Sequence, residues 1–94
     1  MVEEWRKIPK SKGQYEASNT GKIRNAYTGR VLKAKKLSGG NMGVGLQGWM
    51  GTRTWTVMQL VGMAFLPNAK RLKHKGDITD DRLENIEVLE EYDD

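Results

Sequence analysis

The stretch Gly13-Gln14-Tyr15-Glu16-Ala17-Ser18-Asn19-Thr20-Gly21-Lys22-Ile23-Arg24 decides the fold. Tyr15-Glu16-Ala17-Ser18 reads as a short strand. Asn19-Thr20-Gly21 reads as a turn, because Asn and Gly tolerate positive φ. Lys22-Ile23-Arg24-Asn25-Ala26-Tyr27 then alternates charged or polar with apolar side chains, the period of a half-buried strand. Thr28-Gly29 makes a second tight turn, and Arg30-Val31-Leu32-Lys33 returns alongside. These pieces predict a small antiparallel meander with basic side chains on one face.

Downstream, Lys35-Lys36-Leu37-Ser38-Gly39-Gly40 reads as a basic, glycine-rich loop. In Met42-Gly43-Val44-Gly45-Leu46 apolar residues alternate with glycine, which predicts a strand closely approached on its other face. Gly48-Trp49-Met50-Gly51 turns the chain, and Thr52-Arg53-Thr54-Trp55-Thr56-Val57 returns it as a β-branched, aromatic strand. The period then changes. Val57, Leu60, Val61, Ala64 and Phe65 recur at three- and four-residue steps, predicting one helix that ends before Pro67. Thr79 is placed to cap a second short helix through Asp80, Asp81 and Arg82, with acids in its first turn. Ile86-Glu87-Val88-Leu89 predicts a final strand, and Glu90 to Asp94 a terminal acidic tail without order. The glycines between Gly39 and Gly43 are better explained by a strand hairpin than by a phosphate-cradling loop, since no helix opens after them.

With 94 residues, the length suits one small domain, or two submodules sharing a modest core. There is no cysteine, which excludes disulfides and thiolate metal sites, and a single histidine argues against structural zinc. No apolar run reaches bilayer-spanning length, and the N-terminus lacks the order of a signal peptide, so a cytoplasmic protein is expected. The net charge of +4 conceals a strong asymmetry. From Trp5 to Lys75 fifteen Lys or Arg face one acid, Glu16, a balance of +14. From Gly76 to Asp94 one base, Arg82, faces nine acids, a balance of −8. Repulsion on that scale calls for an anionic partner against the basic part, or for the acidic part to fold back on it. A nucleic acid is the partner this pattern favours.

Glu4-Trp5-Arg6-Lys7-Ile8-Pro9, followed by Gly13 to Arg24 as quoted, resembles the nuclease-associated modular DNA-binding motif at the front of phage and intron HNH homing endonucleases. That family writes Trp, then Ile-Pro, then Gly-x-Tyr-x-Val-Ser-Asn-x-Gly-x-Ile-Arg. The helix pattern Val-His-Arg-Leu-Val-x-x-Ala-Phe is similar to Val57-Met58-Gln59-Leu60-Val61-Gly62-Met63-Ala64-Phe65, with Leu66-Pro67-Asn68 after it. The HNH core, Asn/Asp-His-x-Asp-Gly and a later Asn-Leu, resembles Lys73-His74-Lys75-Gly76-Asp77 and Asn85-Ile86. The resemblance implies an α+β fold, a small antiparallel β meander followed by a ββα-metal-like (HNH) unit. It divides the chain into residues 1–36 (meander), 37–89 (degenerate HNH unit) and 90–94 (acidic tail).

By the same resemblance His74 stands at the general base and Asn85 supports the motif loop by side-chain hydrogen bonds; an Asn that merely closes a helix has nearly the same geometry. Three departures from the pattern point to lost chemistry. Lys73 stands where a carboxylate or amide helps hold a divalent cation, and its charge opposes one. The loop lacks the Asp expected between Lys75 and Gly76. A further ligand on a helix beyond the motif would fall at Asp94, the last residue, so that helix is expected to be missing. His74 is then a vestigial base, and the helix His-Arg has become Met58-Gln59. No metal site and no cofactor are expected, with magnesium or manganese entering only if the chain is a working nickase that recruits Asp77 and Asp94 instead. Asp77, Asp80, Asp81 and Glu84 lack the spacing of a calcium loop. Candidate DNA-binding residues are Lys22, Arg24, Arg30, Lys33, Lys35, Lys36 and Arg53 along the strands, with Lys70, Arg71 and Lys73 near the old active site. Trp5 and Trp55 are expected to pack in the core. Trp49, between glycines at a hairpin tip, is open to packing or to contact with a partner. The leading expectation is a DNA-binding protein without nuclease activity. The alternatives are an inhibitor of a host nucleic-acid-handling enzyme, in bacterial cytosol if phage-encoded, and a metal-dependent nickase.

Overall fold

The computed structural model describes residues 2–47 and 51–93. Eight strands and one helix follow in the order β1 (Trp5–Lys7), β2 (Tyr15–Ser18), β3 (Ile23–Asn25), β4 (Lys35–Lys36), β5 (Met42–Leu46), β6 (Arg53–Thr56), α1 (Val57–Phe65), β7 (Ala69–His74) and β8 (Ile86–Glu91). A short 3₁₀ turn, Leu83–Asn85, leads into β8. All pairing is antiparallel: β1-β2-β3 form one sheet, β4-β5-β6 a second, and β7-β8 a hairpin. The fold is α+β, and no helix among the described residues is long and apolar enough to cross a membrane.

The quoted stretch forms β2, a turn and β3, paired so that Glu16 faces Arg24 and Ala17 faces Ile23. Ser18 is fully buried: its hydroxyl accepts from the Lys22 amide at 3.0 Å and shares a hydrogen bond with Thr20 at 2.8 Å. Asn19 Oδ1 accepts from the Glu4 amide at 2.9 Å, which fastens the segment ahead of β1 to the turn. The Trp5-Arg6-Lys7 strand was not legible in the sequence, because those three residues show no apolar alternation. The expected strand at Arg30 to Lys33 shrinks to one bridge between Arg24 and Val31. Asn25 Oδ1 accepts from the amides of Tyr27 and Thr28, tightening the turn so that the chain meets β3 only briefly.

In the second sheet, Lys35–Lys36 is a strand rather than a loop, paired with Gly43 and Met42. The expected turn Gly48-Trp49-Met50-Gly51, Trp49 included, falls largely outside the described residues. Helix α1 occupies the expected span. Thr56 caps it, with Oγ1 accepting from the Gln59 amide at 3.2 Å, and the Leu66 amide closes it onto the Gly62 carbonyl. α1 touches every strand of the first sheet and also β5, β6 and β7. One core results, drawn from both expected submodules: Ile8, Tyr15, Ala17 and Ile23, then Val44, Leu46, Val57, Leu60 and Val61, then Ile86.

The last third departs most from expectation. Ala69–His74 is a strand, β7, which its charged sequence concealed. Thr79 caps no helix: its amide and hydroxyl both donate to Asp77 Oδ1, making a turn, and the only helical geometry there is the 3₁₀ turn. β8 extends through Glu90 and Glu91, so the acidic segment begins as strand, and the Tyr92 amide donates to the Asn68 carbonyl at 2.9 Å.

Candidate nucleic-acid interface and the His74 loop

β7 carries two adjacent residues of the expected site to opposite sides of the hairpin, as strand geometry requires. Lys73 is exposed and pairs with Glu87; His74 is buried and pairs with Ile86. His74 Nε2 lies 2.7 Å from Asp81 Oδ1, both side chains being 5% exposed, so this ring nitrogen is engaged inside the protein. Burial pushes the Asp81 carboxyl above its ordinary range, against the pull of His74. Asn85 ties the loop: Oδ1 accepts from the Gly76 amide at 3.1 Å, while Nδ2 donates to the carbonyls of Asp77 (3.1 Å) and Asp80 (2.8 Å). Asp81 as the partner of His74 was missed in the sequence, where it was assigned to a helix start.

The other acids of this loop are turned to local work. The Asp77 carboxylate is held below its ordinary range by the Thr79 amide and hydroxyl. Asp80 is lowered to about 2, chiefly by hydrogen bonds from Arg82. Among the described residues no group of three or more His, Asp or Glu is arranged to hold a metal ion. The loop carboxylates are thus taken up by Thr79, Arg82 and His74. Asp94, the other acid considered as a metal ligand, lies outside the described residues.

The basic candidates fall into two groups. Several are already engaged: Lys22 with Glu3 at 3.6 Å, Lys70 and Arg71 with Glu90 at 3.8 and 3.9 Å, Arg53 over the Trp55 ring. Arg24 is the most committed, bonded to Glu16 at 2.8 Å and stacked 4.1 Å over the centre of the Trp5 ring, where it serves the fold. Arg30, Lys33, Lys35 and Lys36 are exposed. Lys33 and Lys35 stand together at a shallow cleft of about 190 Å³ on the outer face of the second sheet, with Gly43, Gly45 and Thr54. The core face of the same strand carries Val44 and Leu46. Gly43 is covered by Leu37, whose Cδ1 would lie 2.7 Å from an added Cβ, while Gly45 has nothing within 4 Å. Lys36 lies on the side of the Asp77 carboxylate and helps to lower it. The sheet thus presents lysines beside bare backbone, with no carboxylate lining the cleft.

Residues 3–46 match the NUMOD4 motif. No curated protein matches the sequence. A solved structure showing DNA binding and cleavage by the HNH homing endonuclease I-HmuI is similar to this chain, with a TM-score of 0.74 and 27% identity. The match covers 88% of this chain and 50% of that one, so this protein spans half the length of the structure it resembles. The chain thus carries the NUMOD4 motif over residues 3–46, and over most of its length it is similar in structure to an HNH homing endonuclease.

Proposed function

We propose that this protein binds double-stranded DNA without cutting it. The observation that carries the reading is the outer face of β4-β5-β6, where Lys33 and Lys35 stand beside the exposed backbone of Gly45 and no acid lines the cleft. A phosphate backbone binds such a surface through charge, and a basic two-stranded ribbon such as the β4-β5 pair can enter a major groove. Arg30 extends the contact, and Lys22 joins it from a weaker internal partnership. Lys36, paired with Met42, and Arg53, paired with Leu46, stand on the other face of the sheet, and Lys70, Arg71 and Lys73 contribute less because acids lie beside them on β8. The similar structure concerns DNA binding and cleavage, which supports the partner. The silent chemistry rests on His74, whose Nε2 is engaged by Asp81, and on loop acids occupied by Thr79 and Arg82. A general base needs a free nitrogen near water and phosphate, and a metal needs convergent oxygens. Action on DNA in the cytoplasm of a cell is the setting this reading implies.

The test combines a salt titration with a cleavage assay. Fluorescence anisotropy on a labelled duplex should give log K falling linearly with log salt, by about 0.9 per phosphate neutralised. Supercoiled plasmid should remain intact with magnesium or manganese, for the protein and for a His74→Ala control alike. No binding at low salt would remove the DNA partner. Nicking that disappears in His74→Ala would make the protein a nickase.

A further inference from the structure

α1 buries Val57, Leu60, Val61 and Gly62 and leaves a second, half-buried apolar flank beside them. That flank, with Met58, Gly62, Met63 and Leu66, forms one wall of a groove of about 720 Å³. Leu72 of β7 forms part of the opposite wall, so close to the helix that an added Cβ at Gly62 would lie 2.3 Å from its Cδ1. Three cations line the rim, Lys10, Arg53 and Lys70, and no carboxylate is among the lining residues. Lys70 is shared with Glu90 at 3.8 Å, an exposed pair of the kind that exchanges at little cost. Lys10 holds its place at φ 67°, a left-handed backbone region that residues other than glycine rarely adopt. Both helix positions that depart from the family's His-Arg pattern, Met58 and Gln59, lie in this groove.

We propose that the groove is a docking site for a short acidic, amphipathic segment of a partner protein. The charges argue for an anionic occupant, and the walls argue for one with an apolar body. A nucleic-acid backbone meets the first requirement and fails the second, since its phosphates would be desolvated against thioether and aliphatic carbon. Methionine side chains adapt to different apolar shapes, and an amphipathic helix laid into an apolar groove is a recurrent mode of recognition. The volume falls within the roughly 300–1,000 Å³ of ordinary ligand sites, room for a few side chains rather than a folded domain. This site is separate from the cleft at Lys33 and Lys35, and the proposal stands whether or not that cleft binds DNA.

The probe is a short labelled peptide interleaving Leu and Phe with Glu, with a Lys-for-Glu version as its control. The acidic peptide should bind the full chain, and the Lys version at least tenfold less well. Met58→Glu and Lys10→Glu should each weaken binding about tenfold, or 1.4 kcal/mol. Duplex-DNA affinity should stay unchanged in Met58→Glu, while its thermal midpoint should fall because the half-buried Met58 packs against the core. Lys10→Glu, on an exposed loop, keeps the test decisive if Met58→Glu fails to fold. Failure of the acidic peptide to bind, or equal binding of the Lys version, would overturn the proposal. So would displacement of the peptide by duplex DNA, which would make the groove a nucleic-acid contact. Self-association in sedimentation that Met58→Glu abolishes would instead assign the groove to a second copy of the chain.

Discussion

Gly21 sits at φ +88°, and an added Cβ would fall 2.8 Å from the carbonyl carbon of Asp81. The Leu83 amide donates to the Asn19 carbonyl at 2.9 Å in the same contact, so the turn at residues 18–21 is a seat for the loop between His74 and Asn85. Gly29, at φ +74°, has nothing within 4 Å. Gly29→Ala should therefore lose only the cost of left-handed backbone, about 1–2 kcal/mol, whereas Gly21→Ala should lose more. Urea denaturation of the two variants isolates the Asp81 contact; equal losses would show that the seat yields freely. Asp81 itself makes a pH-dependent prediction. Its folded pKa is raised, so the stability it contributes is fully present below the unfolded value near 4 and is lost as pH rises through the folded one. Asp81→Asn removes that loss, and the stability of the variant relative to the parent should improve as pH rises above about 4. A relative stability that instead worsens with pH would mean that His74 outweighs burial and holds the carboxylate ionised.

At the level of elements, the two basic strands are not equivalent. β4 and the residues ahead of it offer Lys33 and Lys35 beside glycine, while β7 offers Lys70, Arg71 and Lys73 opposite Glu90 and Glu87. Removing Lys33 and Lys35 together should flatten the salt slope of DNA binding by nearly two charges' worth, about 0.9 each. Removing Lys70 and Arg71 should flatten it by clearly less, because Glu90 already neutralises part of their charge. Equal effects would mean that DNA displaces Glu90 completely. The same contrast explains what the sequence disclosed. α1 and β5 announce themselves by period, since Val57, Leu60 and Val61, or Val44 and Leu46, are buried and spaced accordingly. β1 and β7 were hidden because Trp5-Arg6-Lys7 and Lys70-Arg71-Leu72-Lys73 hold their ladders by cross-strand partners far along the chain rather than by an apolar face. Thr79 followed by acids imitates a helix start. Asp77 takes both the amide and the hydroxyl of Thr79, and the helix never begins. The pairing of His74 with Asp81 had no local signal, because it depends on Gly21 from the other end of the chain seating the loop.

For the whole molecule, the boundary between motif and nuclease-like part is a feature of sequence and not of packing. The Cα radius of gyration is 12.6 Å, against about 12.4 Å expected for a single compact domain of this length. Tyr15, Ala17 and Ile23 of the first sheet share one cluster with Leu60 and Val61 of α1 and with Ile86 of β8. The Tyr15 hydroxyl accepts from the Gln47 amide at 3.1 Å, just past the residues that match the motif. A fragment ending at residue 46 would expose the faces of β2 and β3 that α1 covers, and at that size a domain rarely stands without a metal, a disulfide or a partner. The fragment 1–46 is therefore expected to show no cooperative thermal transition and little amide protection, while the full chain unfolds in one step. Circular dichroism and hydrogen exchange on both would check this. A cooperative transition in the fragment would mean that the meander is a self-sufficient module. The Gly21–Asp81 contact would then be an interface between two domains and not part of one core.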